Sequence, residues 1–570
     1  MSRLFSALII LVLSSVSLAQ VTDLADATTK IDQLFAQWDK PYSPGCALAV
    51  IKDGQIIYQR GYGMANLDFG IPISSRTVFN IGSISKQFTA MSIVLLARQG
   101  RLSLDDDIRK YLPEIPPYQT AVTIRHLVYH TSGIREYSHL MQLAGIRFQD
   151  ASDEEVFRII ARQKELNFKP GDQYLYSNSG YFLLAQIVKR TSGKTLREYS
   201  EENVFKPLGM VNTRFHDDSG EVVRNRATGY AARRDGGFAV ETTRFAHVGD
   251  GGLLTTIEDL SKWDTIYSQN KLSGGQDSVS QFLTPGTLNS GKKIDYVFGL
   301  DTETYRGLKA FSHGGTYNGF SADMIRFPDQ RLTVVCLCNL FNIESVRLTR
   351  NVADIYLANE FKHSAASGSE TALPEAKVIQ VPEKELTAVA GSYFNSDSNN
   401  FRRLYVKDGK LVYSRGSSES ELAPLGNNRF LMLNVPDRIE ISFQSPRPGA
   451  PLQMSTALDG KVFIVHDPVK PASYTPQQLK EFTGTFYSGE IEATYSIDLK
   501  DDKLVLRRKN VDGETPLVLQ FADAFSAAGT GTLRFTRDGK HRVSGFLLST
   551  NRVRNLRFEK TPRAAGLVAH

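Results

Sequence analysis

This 570-residue chain has few of the residues that mark specialised classes of protein. Three cysteines, Cys46, Cys336 and Cys338, are too few for a disulfide-built scaffold. The sequence has no H-E-x-x-H pair, no phosphate-binding glycine loop and no dinucleotide motif, so we expect no metal and no cofactor. Its net charge of +6 is small for this length and no run of Lys and Arg occurs, which argues against a nucleic-acid partner. What remains is an ordinary globular composition, with 41% hydrophobic and 22% charged residues.

Long apolar runs are also lacking, except at the N-terminus. Arg3 precedes the apolar stretch Leu4 to Leu13, and Ser17-Leu18-Ala19 supplies the small residues that a signal peptidase reads. The stretch is too short for a comfortable membrane span. We therefore predict a signal peptide at residues 1–19, cleaved after Ala19, with an uncleaved anchor as the alternative. A secreted or periplasmic protein without a membrane span in the mature chain is expected.

The three cysteines lie on apolar segments that the pattern predicts as strands. Cys336 and Cys338 are two residues apart in the segment from Leu332 to Leu340, so their side chains point to one face and cannot easily bond each other. Buried free thiols are the expectation. A bridge from Cys46 to one of them is the alternative, because both segments look like central strands.

Hydrophobic periodicity predicts a first part of mixed helices and strands. Strand patterns cover residues 46–51, 55–62, 296–300, 308–313, 320–327 and 332–340. Helical patterns cover residues 22–38, 83–99, 123–130, 180–192, 257–267 and 351–361. This order indicates an α+β fold, in which an antiparallel sheet is flanked by helices and interrupted by a large helical insert.

The second part of the chain reads as all-β and repeats itself. The segment from Glu385 to Tyr393 resembles the segment from Gln478 to Phe486, and each precedes a strand–turn–strand pattern. Two small β-barrels are therefore predicted, with a single sandwich as the alternative. The expected domains are 20–362 for the α+β part, a linker at 363–382, and barrels at 383–472 and 473–562.

One motif carries most of the chemical information. Ser83-Ile84-Ser85-Lys86 stands directly before a long apolar helical pattern. In a helix, Ser83 and Lys86 would lie one turn apart on one face, so that the amine can help remove the proton of the hydroxyl. A serine at a helix N-terminus can serve as a helix cap without any catalytic role. A lysine on the buried face of the same helix instead favours the interpretation of Ser83 as a nucleophile and Lys86 as its base.

Two further motifs follow in order along the chain. Tyr176-Ser177-Asn178 offers a hydroxyl that can act as a general acid or base and an amide that suits a substrate or Lys86. His313-Gly314-Gly315-Thr316 follows a strand pattern, and its glycines would let a substrate lie close to the strand edge. The N–H groups of Ser83 and Thr316 are the predicted oxyanion donors, and His313 could stabilise charge or contact Tyr176.

This ordered set resembles the serine β-lactamase and penicillin-binding-protein group, in its class C-like branch, over residues 32–361. Flanking segments that share the resemblance are Phe79–Phe88, Thr123–Leu127, His130–Gly133 and Gly251–Thr256. The resemblance implies a five-stranded antiparallel sheet with flanking helices and an all-α insert. It also implies an acyl-enzyme on Ser83, with Lys86 and Tyr176 handling protons and either one as the base.

The third motif separates this sequence from typical β-lactamases, which have Lys-Thr-Gly where His313-Gly314-Gly315 stands here. The missing lysine and hydroxyl weaken the case for strong β-lactamase activity, and the pattern is more similar to carboxypeptidases and D-aminopeptidases. The expected substrate is a small peptide, amide or ester, including a cell-wall peptide. The alternatives are an esterase or weak β-lactamase, and a catalytically silent sensor or cell-wall binding protein that keeps the fold.

Overall fold

A computed structural model describes residues 26–147, 151–241, 246–361, 377–416, 418–435, 437–458 and 460–561. The predicted signal peptide and most of the predicted linker lie outside these residues. The described parts form two compact units. Of the described residues, the first comprises those within 26–133, 151–157 and 168–361, and the second comprises those within 134–147, 158–167 and 377–561. The domain bounds stated above remain predictions.

A six-stranded antiparallel sheet is the centre of the first unit. Its strands are β1 (Cys46–Lys52), β2 (Gln55–Tyr62), β3 (Asp301–Tyr305), β4 (Leu308–Tyr317), β5 (Phe320–Phe327) and β6 (Leu332–Cys338), in the order β3-β4-β5-β6-β1-β2. Strands β1, β5 and β6 are buried almost throughout, because both sheet faces are covered. The α+β class is confirmed, and the sheet has one strand more than the resemblance implied.

Helices and short strands surround this sheet. The chain is helical at 26–35, and further helices are Lys86–Arg98, Ile124–Val128, Tyr137–Ala144, Asp153–Ala161, Asn178–Ser192, Leu196–Ser200, Lys206–Leu208, Ile257–Asp264, Gly275–Phe282 and Ser345–Tyr356. Short strands at Phe79–Asn80, Leu253–Thr255 and Arg214–Phe215 form a small separate sheet. Two further short pairs join Met64–Asn66 to Ile71–Pro72 and Tyr230–Ala232 to Phe238–Val240. Among the described helices, none combines the length and the apolar character that crossing a bilayer requires.

Two predicted elements are wrong. Residues 296–300 form a turn, closed by the hydrogen bond from Val297 N to Leu300 O (2.8 Å) and by a positive φ at Gly299, and the strand begins at Asp301. These residues are apolar because they are buried, and a short run of apolar residues resembles the pattern of a buried strand. The closing helix spans Ser345–Tyr356 and not 351–361, because its buried positions Leu348 and Val352 lie one turn apart against the sheet.

The cysteine expectation is corrected for two of the three residues. Cys46 and Cys338 are directly paired across β1 and β6, and their sulfurs form a disulfide. Their Cα atoms are 4.0 Å apart, which the strand pairing imposes. Cys336 remains a buried thiol, and its Sγ lies 3.5 Å from that of Cys338. The disulfide from Cys46, which the sequence offers as the alternative to free thiols, is therefore present.

The second unit contains two closed barrels of eight strands each, as the repeat predicted. The first barrel runs through Gly391–Asn395, Asn400–Lys407, Lys410–Arg415, Ser418–Gly426, Arg429–Met432, Ile439–Gln444, Gln453–Leu458 and Lys461–Val469. The second runs through Gly484–Ser488, Ala493–Lys500, Lys503–Arg508, Val511–Phe521, Ala524–Ala527, Gly531–Arg537, Val543–Ser549 and Leu556–Lys560. Short helices at Glu383–Val389 and Pro476–Leu479 precede the first strand of each barrel.

Segments 134–148 and 158–167 pack with the second barrel inside this unit. The buried guanidinium of Arg135 lies 2.7 Å from the carboxylate of Glu490. The hydroxyl of Tyr495 donates to the carbonyl of Leu143 at 2.8 Å, and the N–H of Arg554 donates to Asn167 Oδ1 at 2.8 Å. The sequence patterns do not predict this, since the partners are more than 300 residues apart.

Candidate active site

Ser83 lies in a short 3₁₀ turn, Gly82–Ser85, that leads directly into the helix Lys86–Arg98. The turn is held by a bond from Gly82 N to Asn80 Oδ1 (2.9 Å) and by one from Ser85 Oγ to Gly82 O (2.5 Å). Gly82 has a φ of 50°, and a Cβ built on it would lie 2.5 Å from the backbone nitrogen of Thr316. Glycine is therefore required for the turn to approach strand β4.

Lys86 is fully buried and faces Ser83 from the first turn of the helix. Its Nζ donates to Ser83 Oγ at 3.0 Å, to Asn178 Oδ1 at 2.9 Å and to the backbone oxygen of Asp250 at 2.6 Å. These three acceptors match the three protons of an ammonium group. When Lys86 loses one proton, the same 3.0 Å contact can carry the proton of the Ser83 hydroxyl to the amine.

Tyr176 contacts the same hydroxyl. Its phenol shares a hydrogen bond with the Ser83 side chain, and the Lys86 Nζ lies 4.9 Å from the centre of its ring. Burial raises the pKa of Tyr176 well above its ordinary value, although the bond to Ser83 acts in the opposite direction. The phenol is therefore protonated at neutral pH and can pass a proton on through Ser83.

Two aromatic neighbours of Tyr176 were not predicted as site residues. The His130 ring is centred 4.3 Å from the ring of Tyr176 and 4.7 Å from that of Tyr296, and its Nδ1 accepts the N–H of Ser177 at 3.1 Å. His130 also has a left-handed backbone, with a φ of 57°. The signal that could have identified it is its place in the segment His130–Gly133, which carries part of the family resemblance.

His313 lies on β4 and faces this aromatic cluster. Its Nε2 lies 3.4 Å from the hydroxyl of Tyr296, whereas its ring centre is 6.1 Å from that of Tyr176. The imidazole Nδ1 and the carbonyl oxygen of Gly314 are 2.6 Å apart. Burial, together with the charge of Lys86, lowers the pKa of His313 to about 4. His313 is thus neutral at pH 7 and cannot replace the cation that Lys-Thr-Gly would supply.

The two glycines of the third motif face opposite sides of β4. A Cβ on Gly315 would lie 1.9 Å from the carbonyl oxygen of Ile81, in the segment that leads into the Ser83 turn. A Cβ on Gly314 would lie 3.3 Å from Val346 Cγ2, 3.7 Å from Asp323 Oδ1 and 4.0 Å from the backbone oxygen of Ala322. The backbone of β4 therefore lies against the Ser83 turn.

Strand β4 has an open edge beside these groups. Its residues 308–312 pair with β3, and its residues 313–317 extend beyond the end of β3 while pairing with β5. A cavity of about 760 Å³ lies along Gly314–Thr316 and the segment Phe341–Arg347. Its volume falls in the range of small-molecule sites, roughly 300–1,000 Å³. The residues that line this cavity do not include Ser83, Lys86 or Tyr176.

Comparisons with known proteins agree with this geometry. The family model described as beta-lactamase matches residues 31–358. The chain is 32% identical over 310 residues to penicillin-binding protein 4* of Bacillus subtilis, covering 52% of this chain and 68% of that protein. It is 26% identical over 476 residues to a D-aminopeptidase of Cereibacter sphaeroides, covering 83% of this chain and 85% of that protein.

Other relatives and solved structures match in part. Over 52% of its length, the chain matches a D-aminopeptidase of Gluconobacter oxydans at 29% identity and spans 56% of that protein. The crystal structure of SurE superimposes with a TM-score of 0.54 at 22% identity, covering 78% of this chain and 100% of that one. This structural likeness supports the fold.

Proposed function

This chain belongs to the beta-lactamase family and is a serine hydrolase, and we propose that it works through an acyl-enzyme on Ser83. The observation that carries the proposal is the set of two contacts that the Ser83 hydroxyl makes, one with Lys86 Nζ at 3.0 Å and one with the Tyr176 phenol. A hydroxyl placed between an amine and a phenol can lose its proton and later return one.

In the first step, Ser83 Oγ attacks the substrate carbonyl and its proton passes to Lys86 in its neutral form. The negative charge on the former carbonyl oxygen is held by the N–H groups of Ser83 and Thr316. Lys86 is the better candidate for the base, because burial disfavours the phenolate of Tyr176. Tyr176 and Lys86 then deliver a proton to the leaving amine or alcohol.

In the second step, water attacks the acyl group with the same residues acting in reverse. The proton of the water returns through Lys86 and Tyr176 to Ser83 Oγ as the ester bond breaks. Asn178 accepts a hydrogen bond from Lys86 through its Oδ1 and so helps to hold the amine in place.

The substrate we propose is a small peptide or amide, in the manner of a D-aminopeptidase. The neutral His313 leaves the third motif without a cation for a substrate carboxylate, which disfavours β-lactams and C-terminal carboxylates at that position. A peptide with a free N-terminal amine does not need such a cation. The D-aminopeptidases among the relatives support this choice. We further propose that the protein is exported and meets cell-wall peptides.

The test is intact-mass spectrometry of the protein after treatment with a fluorophosphonate and, separately, with a fluorescent penicillin. A single adduct on Ser83 that disappears in Ser83→Ala is expected, whereas Ser261→Ala, a serine on a different helix, should still be labelled. Hydrolysis of D-alanine p-nitroanilide in preference to the L-isomer would support the substrate. Penicillin turnover would favour a weak β-lactamase, ester turnover alone an esterase, and no adduct from either reagent a silent binding protein.

A further inference from the structure

The cavity of about 760 Å³ lies between β4 and the helix Ser345–Tyr356. The two glycines of the third motif show which side of the strand this is. A Cβ on Gly315 would lie 1.9 Å from the carbonyl oxygen of Ile81, on the side of the Ser83 turn. A Cβ on Gly314 would lie 3.3 Å from Val346 Cγ2, and Gly314 and Val346 both line the cavity. The cavity therefore borders the face of β4 that is turned away from the Ser83 turn.

Thr316 connects this cavity with the turn that carries Ser83. Thr316 is exposed and lines the cavity. A Cβ built on Gly82, the residue directly before Ser83, would lie 2.5 Å from the backbone nitrogen of Thr316. A single residue of β4 thus contacts the Ser83 turn with its backbone and borders the cavity as well.

The accessible surface of the cavity wall is mainly apolar. Phe341 and Val346 contribute to it with side chains that are 52% and 44% exposed. A ligand in the cavity can therefore touch both side chains directly. Covering them removes apolar surface from water, which is favourable.

The charged groups of the wall already have partners within the protein. The guanidinium of Arg350 lies 2.6 Å from the carboxylate of Glu303 and 2.8 Å from that of Asp323. The guanidinium of Arg347 lies 2.7 Å from the carboxylate of Glu344. A charged ligand would have to compete with these ion pairs, whereas an apolar group can cover the exposed side chains without disturbing them. The wall therefore favours an apolar occupant.

The geometry of β4 indicates which part of a substrate reaches this cavity. Residues 313–317 pair with β5 on one edge, and none of the described strands covers their other edge. An extended peptide along that edge places successive side chains on opposite faces. If one side chain lies on the face of Gly315, toward the Ser83 turn, the next lies on the face of Gly314, toward the cavity.

We propose that the cavity receives the apolar side chain of the residue released from the substrate. This inference rests on the proposed aminopeptidase activity, in which the attacked carbonyl belongs to the first residue of the peptide. The only neighbour of that residue is the one that leaves with the new amine. Phe341 and Val346 then determine specificity for the leaving residue.

The test compares kcat/KM of the full chain for three substrates with a free N-terminal amine. D-alaninamide releases only ammonia, D-alanyl-glycinamide releases a residue without a side chain, and D-alanyl-L-phenylalaninamide releases one with a large apolar side chain. The phenylalaninamide substrate should be cleaved with a kcat/KM roughly tenfold higher than that of the glycinamide substrate, as expected when part of an apolar side chain is buried.

The informative variant is Val346→Asn, which replaces an accessible apolar side chain by a polar one of similar size. The ratio of kcat/KM for D-alanyl-L-phenylalaninamide to that for D-alaninamide should fall roughly fivefold. Phe341→Ser should lower the same ratio. Both positions are partly exposed, so the variants should fold. The matched control is Val211→Asn, at a valine that is 75% exposed and does not line the cavity, and it should keep the wild-type ratio.

Three results would overturn the inference while leaving the proposed function intact, provided that Ser83 is labelled and D-alaninamide is hydrolysed. The first is an equal kcat/KM for the phenylalaninamide and glycinamide substrates. The second is an equal change of the ratio in Val346→Asn and Val211→Asn. The third is faster cleavage of D-alanyl-glycine, with its free carboxylate, than of D-alanyl-L-phenylalaninamide. Absence of both Ser83 labelling and turnover of any substrate would instead refute the proposed function, and the inference with it.

Discussion

The closest backbone contact in the candidate site leads to a sharp prediction for Gly315→Ala. The new Cβ would lie 1.9 Å from Ile81 O and 2.9 Å from Ile81 C. The Ile81 side of this contact cannot recede easily, because Ile81 is fully buried and its N–H is bonded to Leu253 O at 3.1 Å. Strand β4 must therefore move away from the Ser83 turn by roughly 1 Å.

That movement separates the two proposed oxyanion donors. A misplacement of about 1 Å in an active site can cost about 100-fold in rate, and loss of one oxyanion donor costs about 10²–10³-fold in kcat. We expect the rate at which Ser83 reacts with a fluorophosphonate to fall by about 100-fold. Overpacking should also lower the free energy of unfolding by about 1–3 kcal/mol.

The matched control is Gly314→Ala on the opposite face of the same strand. Its Cβ would lie 3.3 Å from Val346 Cγ2, the end of a side chain that can shift slightly. This variant should lose far less of its reactivity with the fluorophosphonate than Gly315→Ala, because its Cβ points away from the Ser83 turn. The assay is the time course of adduct formation by intact mass, with a thermal melt to confirm that both variants are folded. Equal rates for folded Gly315→Ala and the wild type would refute the reasoning, as would equal losses in the two variants.

Three further predictions concern stability and redox state. Alkylation of the denatured, unreduced protein should label one thiol per chain, and three labelled thiols would show that the disulfide is absent. Reduction of the Cys46–Cys338 disulfide should lower the free energy of unfolding by about 3–5 kcal/mol, because the bond spans 292 residues. Glu490→Gln should lower the free energy of unfolding by about 3–5 kcal/mol, because it removes the buried carboxylate that lies 2.7 Å from the buried guanidinium of Arg135. An unchanged thermal midpoint would contradict this. Burial lowers the pKa of His466 to about 4. Between pH 6.5 and 4 the unfolded chain therefore binds more protons at this residue than the folded protein does, so the free energy of unfolding falls as the pH drops through this window. Thermal melts of His466→Phe across that window should show a smaller fall, and a parallel curve would argue against the buried neutral ring.

Local patterns were enough to predict much of the fold and part of the site. The spacing of Ser83 and Lys86 places them together because one helical turn is a short-range geometry that needs no other contact. The strands at 320–327 and 332–338 follow from their apolar runs and the turn between them. The two barrels follow from the repeated segments of the second part.

The failures have a common physical cause. The apolar run at 296–300 looks like a strand because burial and strand pairing both select apolar side chains. Its residues are instead buried in a turn. The closing helix was placed too late in the chain, because a helix boundary depends on which face packs against the sheet. The sequence favoured free thiols over the disulfide that the structure shows, because strand pairing decides which cysteines meet.

The sequence by itself determined the proximity of Ser83 and Lys86, the order of the motifs and the two-part architecture, all of which depend on short-range spacing and periodicity. Only the tertiary structure placed His130 and Tyr296 beside Tyr176, put the Gly315 backbone against the Ser83 turn and assigned segments 134–148 and 158–167 to the second unit. These arrangements join residues far apart in the chain. Such contacts depend on how whole elements pack, and no local pattern of side chains encodes them.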